Sequence, residues 1–264
     1  MIGGGVMGEA LVRRLIEKTI YSPHDILISD PQATRLAYLR ERYGVKTTER
    51  NSAAADGASL LLLAVKPQIF GAVAAGLSLP SSASESPLIV SILAGISISV
   101  LESAFPHQAV VRAMPNAPAT VGAGMTAIAA GSRATAEHVA TAIQLFSAVG
   151  QVVQVPEHQM DAVTGLSGSG PGYIAIVVEA LADGGVAAGL SRAVAMQLAI
   201  QTVRGTAELL AAAELHPAQL KDRVTSPGGT TIAGIASLEQ SGLRSALIEA
   251  VKAASQRSQE LGQS

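Results

Sequence analysis

The 264-residue chain contains no cysteine, which excludes disulfides, thiolate nucleophiles and cysteine metal sites together. Such a chain suits a reducing compartment, and a cytoplasmic location is expected. Aromatic residues are also scarce, 3% of a chain that is 48% hydrophobic. The apolar content is therefore mostly alanine and aliphatic side chains, which favour closely packed helices. Neither sign of charge is in excess: 18 basic and 20 acidic residues leave a formal charge of −2. The clustered basic face that nucleic acid or an anionic membrane surface requires is not expected. No apolar run approaches the roughly 20 residues that span a bilayer. The first residues are glycine-rich and lead directly to Glu9, Arg13 and Arg14, unlike a signal peptide. The histidines, His24, His107, His138, His158 and His216, are scattered without ligand spacing, so no metal site is expected.

Two textures divide the chain. In the first, short apolar runs alternate with helical patterns. Strands are expected at Ile26–Ser29, Ser59–Val65, Leu88–Leu93, Ala109–Ala113 and Val152–Val155, with helices at Gln32–Tyr43 and Thr135–Val149. The unbroken run of Ser59–Val65 is what a strand buried on both faces of a parallel sheet requires. Leu79–Pro87 reads as a polar, turn-rich loop within this half. Such alternation implies a doubly wound α/β sheet. After Pro156 no strand is evident, and Ala175–Leu190, Arg192–Ala213 and Gly242–Leu261 read as long alanine-rich helices. We expect a dinucleotide-binding domain over residues 1–155 and an all-α domain over residues 156–264, with polar Ser255–Ser264 fraying.

Gly3, Gly5 and Gly8 satisfy G-x-G-x-x-G. In this spacing the first glycine makes a tight turn, the second admits a pyrophosphate against the backbone, and the third packs helix on sheet. The helix beginning near Val6 and Met7 then points its free N–H groups at the phosphates. Asp30 ends the next strand, about 20 residues on, where an acid meets the adenosine ribose. An acid there accepts from the ribose hydroxyls of NADH and repels the 2′-phosphate of NADPH. Arg35, one helical turn onward, offsets it, so both cofactors stay open, with local charge leaning toward NADH. Only Met1 and Ile2 precede the glycines, so the sheet's first, central strand is expected to be truncated, a typical strand having about 5–6 residues. Apolar residues added ahead of Met1 are then expected to raise stability and cofactor affinity.

Further segments share an order and spacing with one family. They are Ala64-Val65-Lys66-Pro67-Gln68, Val111 to Pro118 (VRAMPNAP), Gly165 to Pro171 (GLSGSGP) and Val224 to Ile232 (VTSPGGTTI). Together they resemble pyrroline-5-carboxylate reductase over nearly the whole chain, the Ser-Pro-Gly-Gly-Thr-Thr segment being the most specific. Val6 departs from the pattern, since bacterial members often carry asparagine there. The resemblance implies a Rossmann-type N-terminal domain, a helical C-terminal domain that forms an intertwined homodimer, and assembly of dimers into a larger ring. It implies that Asn51 reaches the adenosine ribose, that Ala64, Val65, Lys66 and Pro67 line the cofactor cleft, and that Met114 and Asn116 lie near the nicotinamide. It places the substrate at Ser226, Gly228, Gly229, Thr230 and Thr231.

The implied substrate is a cyclic imine bearing a carboxylate, to be reduced to L-proline by NADPH or NADH. A protonated C=N is already electrophilic, so alignment matters more than a strong acid. A glycine-rich loop feeding a helix offers backbone N–H groups to a carboxylate without arginine or lysine. The Thr231 hydroxyl suits orientation of the ring nitrogen and relay of its proton. The plainer reading of that segment is a helix cap formed by Ser226 or Thr230. Lys66, at a strand end, either contacts a ligand or is simply solvated. A 3-hydroxyacid dehydrogenase of the same build would need a proton donor for its alkoxide, often lysine, and none lies between Pro156 and Leu220. A non-catalytic dinucleotide sensor is the third reading, supported by the short first strand alone.

Overall fold

A computed structural model describes residues 1–82 and 86–262. By packing the chain divides into two compact units, Met1–Ser169 with Ala253–Ser264, and Gly170–Lys252. Pro156 marks the end of the last strand, whereas the packing division falls at Gly170.

The first unit is built on strands β1 (Leu27–Ser29), β2 (Lys46–Thr48), β3 (Leu60–Leu63), β4 (Leu88–Ser91), β5 (Val110–Met114), β6 (Gly124–Ala130) and β7 (Gly150–Gln154). Helices α1 (Val6–Glu17), α2 (Ala33–Tyr43), α3 (Asn51–Ala55), α4 (Phe70–Ala75), α5 (Ile98–Ala104), α6 (Ala136–Ser147) and α7 (Met160–Val163) connect or follow them. Strands β3 to β7 pair in sequence order, and β1 pairs with β2. Ile2 bridges the two groups, parallel to Ser29 of β1 and Leu63 of β3. The expected first strand thus holds its central place through one bridging residue, fixed by Ile2 N–H to Leu62 O and Ala64 N–H to Ile2 O, both 2.8 Å. A cavity of about 610 Å³ lies beside Met1, between Leu27 of β1 and Leu60 and Leu62 of β3.

Side-chain alternation explains why helices cover both faces. Along β3, Leu61 and Leu63 point one way and Leu62 the other. Leu62 joins Val90 and Val111 under Leu11 and Leu15 of α1 and Leu145 and Phe146 of α6. Leu61 and Leu63 meet Phe70 and Val73 of α4 and Leu101 of α5. Each leucine buried this way contributes roughly 1.5–3 kcal/mol, and this two-sided burial is why Ser59–Val65 reads as an unbroken apolar run.

Two strands escaped the sequence reading. β2 is a three-residue polar edge strand, Lys-Thr-Thr, with no apolar run to announce it. β6 is Gly-Met-Thr-Ala-Ile-Ala-Ala, and its small residues read as loop or helix. It pairs antiparallel with β5 and parallel with β7.

The second unit is helical: α8 (Gly170–Ala187), α9 (Arg192–Ala213), α10 (Pro217–Arg223), α11 (Thr230–Gln240) and the first half of α12 (Leu243–Gly262). Ala182, Ala195 and Ala199 bury the α8–α9 contact. A Cβ at Gly185 would come within 3.0 Å of the Ala195 Cβ, so small residues set how closely these helices approach. Tyr173 Oη of α8 donates to Ala250 O of α12 at 3.3 Å. Ile176, Ile200 and Ile248 are more than half exposed. The expected fraying of Ser255–Ser264 is corrected: α12 runs on to Gly262, Ser258 is buried, and its Oγ donates to Asp161 Oδ1 at 2.6 Å. A hydroxyl–carboxylate bond in a covered position outweighs the polarity of the segment; residues 263–264 lie outside those described, as do residues 83–85 of the Leu79–Pro87 loop. Among the described residues no helix is long and apolar enough to cross a membrane.

Candidate active site

Two of the three glycines of the N-terminal motif are sterically constrained, and the third is open. Gly3 has φ +98°, and a Cβ there would lie 2.5 Å from the Ala64 carbonyl oxygen. Its N–H donates to Ser29 O at 2.8 Å, so it turns the chain off the sheet between β1 and β3. Gly8 has no room for a methyl group, since its Cβ would meet Gly3 O at 2.8 Å. Gly5 is different: nothing lies within 4 Å of where its Cβ would be. It is the N-cap of α1 in extended conformation, with no side chain capping the helix. The first N–H groups of α1, at Val6 and Met7, are therefore open to an anion approaching over Gly5. Val6 is 74% exposed at this opening, whereas Met7 packs onto the core.

Of the other expected cofactor residues, Asp30, Ala64 and Val65 lie against this loop. Asp30 Oδ2 accepts from the Gly4 N–H and Oδ1 from the Gln32 N–H, both at 3.0 Å. Asn51 opens α3, and its Oδ1 accepts from Ser29 Oγ at 2.5 Å. Ala64 and Val65 follow β3 directly and form the backbone against which Gly3 turns. Lys66 is exposed at the N-cap of a short 3₁₀ turn that Pro67 opens. Met114 ends β5, and Asn116 lies just beyond. Asn116 Nδ2 donates to Ser167 O at 3.0 Å, while its Oδ1 accepts from Met125 N–H at 2.9 Å. Its amide thus ties the start of β6 to a single π-helical turn, Thr164–Gly168, and keeps one N–H and one lone pair.

Sequence reasoning missed several residues that hold this site. Arg13 and Arg14 of α1 donate to the carbonyls of Thr120 and Val121, the latter at 2.5 Å. They bind the motif helix to the turn after Met114-Pro115-Asn116. Arg112 of β5 is buried and pairs with Glu157 at 3.2 Å. Glu157 Oε1 also accepts from the Ile98 N–H at 2.5 Å, at the head of α5. Glu9, Tyr38 and Tyr43 form a further cluster with Arg35, whose partner Glu9 the sequence did not indicate. Charged residues at these spacings look like ordinary surface positions in one dimension; only the sheet order brings them together.

In the second unit, the Val224–Ile232 segment is a loop entering α11. Gly228 has φ +67°, and Gly229 is the N-cap, with no side-chain cap bond. The reading of Ser226 or Thr230 as a side-chain cap is therefore corrected: Gly229 N–H donates to Ser226 O at 3.0 Å, and the backbone itself makes the turn. Ser226, Thr230 and Thr231 are exposed in the single chain. Their hydroxyls and the first N–H groups of α11 form a nest able to hold a carboxylate. Among the described residues no group of three metal-ligating side chains occurs.

The glycine turn, open helix end and two-sided sheet define a dinucleotide-binding oxidoreductase architecture joined to a helical unit. Residues 1–95 match the family model described as NADP oxidoreductase, coenzyme F420-dependent, and residues 157–261 match pyrroline-5-carboxylate reductase dimerisation. A pyrroline-5-carboxylate reductase from Synechocystis is 57% identical over 262 residues, covering 99% of this chain and 97% of that one. One from Arabidopsis thaliana is 41% identical, covering 100% and 95%. Among solved structures, a pyrroline-5-carboxylate reductase from Coxiella burnetii superposes with a TM-score of 0.90 at 36% identity, covering 98% and 96%. The Plasmodium falciparum pyrroline carboxylate reductase with NADP bound superposes with a TM-score of 0.86 at 30% identity, covering 99% and 96%. The chain belongs to the pyrroline-5-carboxylate reductase family.

Proposed function

We infer that this chain reduces 1-pyrroline-5-carboxylate to L-proline with NADPH or NADH, the final step of proline synthesis. The observation that carries the reading is the uncapped entrance to α11. Gly228 and Gly229 expose the first N–H groups of that helix, and no side chain of the loop occupies them. An anion is favoured there both by hydrogen bonding and by the helix dipole. The substrate carboxylate is assigned to this nest, with Ser226, Thr230 and Thr231 around it.

A bound nicotinamide would supply the hydride that the imine carbon takes up. The open Gly5 approach and the first turn of α1 would hold its pyrophosphate, with Asp30 and Asn51 at the adenosine end. Ala64 to Pro67 and Met114 to Asn116 line the remainder of the cleft. Thr231 is assigned to orient the ring nitrogen, which carries the proton that the product amine retains. Imine, hydride and proton together account for all atoms of the cyclic amine. Positioning supplies most of the rate gain in such a site.

The helical unit is assigned to homodimerisation, supported by its match to the dimerisation family and by exposed Ile176, Ile200 and Ile248. Dimers are proposed to associate further into a ring. The test is oxidation of NADH and NADPH by the purified protein with and without 1-pyrroline-5-carboxylate. Imine-dependent oxidation with proline as product supports the reading. Dinucleotide binding without turnover would replace it with the sensor reading.

A further inference from the structure

Between α1 and α2 lies an arrangement that the glycine motif does not require. Glu9, in the first turn of α1, accepts from Tyr38 Oη at 3.0 Å and from Tyr43 Oη at 2.7 Å. The Arg35 guanidinium pairs with the same carboxylate through Nη2. Its Nε donates to the Gly4 carbonyl at 2.5 Å, and its charge lies 5.1 Å from the centre of the Tyr38 ring. The side chains of Arg35 and Glu9 are only 24% and 22% exposed. The pair is therefore screened less by salt than a surface pair, and Arg35 is held on several sides.

Asp30 stands beside this cluster, bridged to it by Gly4, whose N–H binds Asp30 while its carbonyl binds Arg35. An ionised carboxylate has about four lone-pair sites. Backbone donors take two of them, leaving two for ribose hydroxyls. The charges of Glu9 and Arg35 cancel within their pair. Glu49 and Arg50, adjacent in sequence just beyond β2, add no net formal charge. The adenosine end of the site is left with the charge of Asp30.

We propose that Glu9 is a specificity-determining residue: by holding Arg35 in its own ion pair and against Gly4, it withholds the cation a 2′-phosphate needs and leaves Asp30 to favour the 2′-hydroxyl of NADH. The proposal rests on the glycine loop being the dinucleotide site, and it names which dinucleotide that site prefers. Glu9 is a positioning residue in this scheme, acting through Arg35.

Calorimetric titration of the purified protein with NAD⁺ and, separately, NADP⁺ tests this without turnover. Wild type is expected to bind NAD⁺ at least tenfold more tightly. Glu9→Gln keeps the size and a hydrogen-bond acceptor for the tyrosines but releases Arg35. It is expected to tighten NADP⁺ binding at least tenfold with little change for NAD⁺. Arg35→Met guards against a folding defect in that variant, and is expected to preserve the preference for NAD⁺. Equal or tighter binding of NADP⁺ by wild type overturns the proposal. So does an unchanged ratio in Glu9→Gln, or a selective loss of NADP⁺ affinity in Arg35→Met, which would mean Arg35 already reaches the 2′-phosphate. Binding of neither dinucleotide by wild type would instead refute the reading of the site beneath it.

Discussion

Adding one methyl group to either of two glycines in the same motif should have opposite consequences. At Gly3, alanine must adopt φ +98°, and its Cβ would lie 2.5 Å from Ala64 O and 2.7 Å from Ala64 C. Left-handed backbone costs an L-residue roughly 1–2 kcal/mol. Overpacking against backbone, which has no rotamer to yield, adds roughly 1–3 kcal/mol. Gly3→Ala is thus expected to lose about 2–5 kcal/mol, a large part of the roughly 5–15 kcal/mol that holds a domain folded. At about 2–4 °C per kcal/mol for a chain of this size, Tm falls by roughly 4–20 °C. At Gly5 the same methyl meets nothing within 4 Å and needs no unusual dihedral. Alanine is a poorer N-cap by several tenths of a kcal/mol, but it restricts the unfolded chain by a similar amount. Tm should therefore move by no more than about 2 °C. The methyl nevertheless stands where the pyrophosphate approaches α1. Loss of a single hydrogen bond to a charged group, about 1.5–3 kcal/mol, weakens binding by roughly 10- to 100-fold. Thermal denaturation and dinucleotide titration of both variants separate these effects. Wild-type affinity in Gly5→Ala, or wild-type Tm in Gly3→Ala, would refute the assignment of the first glycine to the turn and the second to the ligand.

Three further predictions test other parts of the structure. Thr231→Ala should lower turnover with the imine at least tenfold while dinucleotide affinity stays within twofold, because the residue is assigned to the substrate ring and not to the cofactor; steady-state rates and a binding titration check this, and wild-type turnover would remove Thr231 from the mechanism. Glu157→Gln should cost about 2 kcal/mol in chemical denaturation, since it leaves the buried Arg112 guanidinium without its counter-charge; the roughly 3–5 kcal/mol typical of a fully buried pair is reduced by the partial exposure of Glu157, and a change under about 0.5 kcal/mol would show the pair to be dispensable. Burial, and then the bond to the Glu9 carboxylate, push the Tyr43 hydroxyl up to about 12. In an alkaline titration followed by phenolate absorbance, one of the four tyrosines should ionise near that pH and return toward its ordinary value in Glu9→Gln. Because its proton is held more tightly in the folded state, the Tyr43 contribution to stability is complete below about pH 10 and lost as pH rises toward 12.

The Glu9 carboxyl extends the same cluster to acid. Partial burial alone would raise it, but bonds from Tyr43, Arg35 and Tyr38 hold it below the usual carboxylate range. Its contribution to stability is present above the ordinary carboxyl pKa and is lost as pH falls through the depressed value. The cluster therefore holds across neutral pH, where Glu9 is charged and Tyr43 is not.

What was legible in the sequence follows from how far apart the cooperating residues lie. Gly3 and Gly8 meet across one turn that Gly5 leaves open, so a short local spacing predicts what the backbone then shows. Leu61, Leu62 and Leu63 read correctly because burial on both faces needs no partner to be specified in advance. Ser59–Val65 could therefore be placed as a central strand without knowing what covered it. β2 and β6 were not legible because their stability comes from pairing, at Leu27–Lys46 and at Met114–Ala127, and neither Lys-Thr-Thr nor a run of small residues carries that information locally. The same reasoning sorts the site. The Val224–Ile232 loop could be read because a turn and the helix it opens are contiguous, although which residue caps it could not: Ser226 and Thr230 have the side chains for the role, and Gly229 holds it because the backbone turn at Gly228 delivers the chain there first. Asn116 was expected near the nicotinamide because it lies in a recognisable motif; what the sequence did not show is that its amide also ties Ser167, 51 positions away, to Met125. Glu9 and Arg35 are 26 positions apart, on two helices that meet only once β1 has paired beside Ile2. A charge whose partner is fixed by topology in this way looks, in the sequence, like any exposed glutamate. That is why Asp30 and Asn51 could be proposed at the cofactor's ribose from the sequence, while the Glu9 carboxylate that pairs with Arg35 could not.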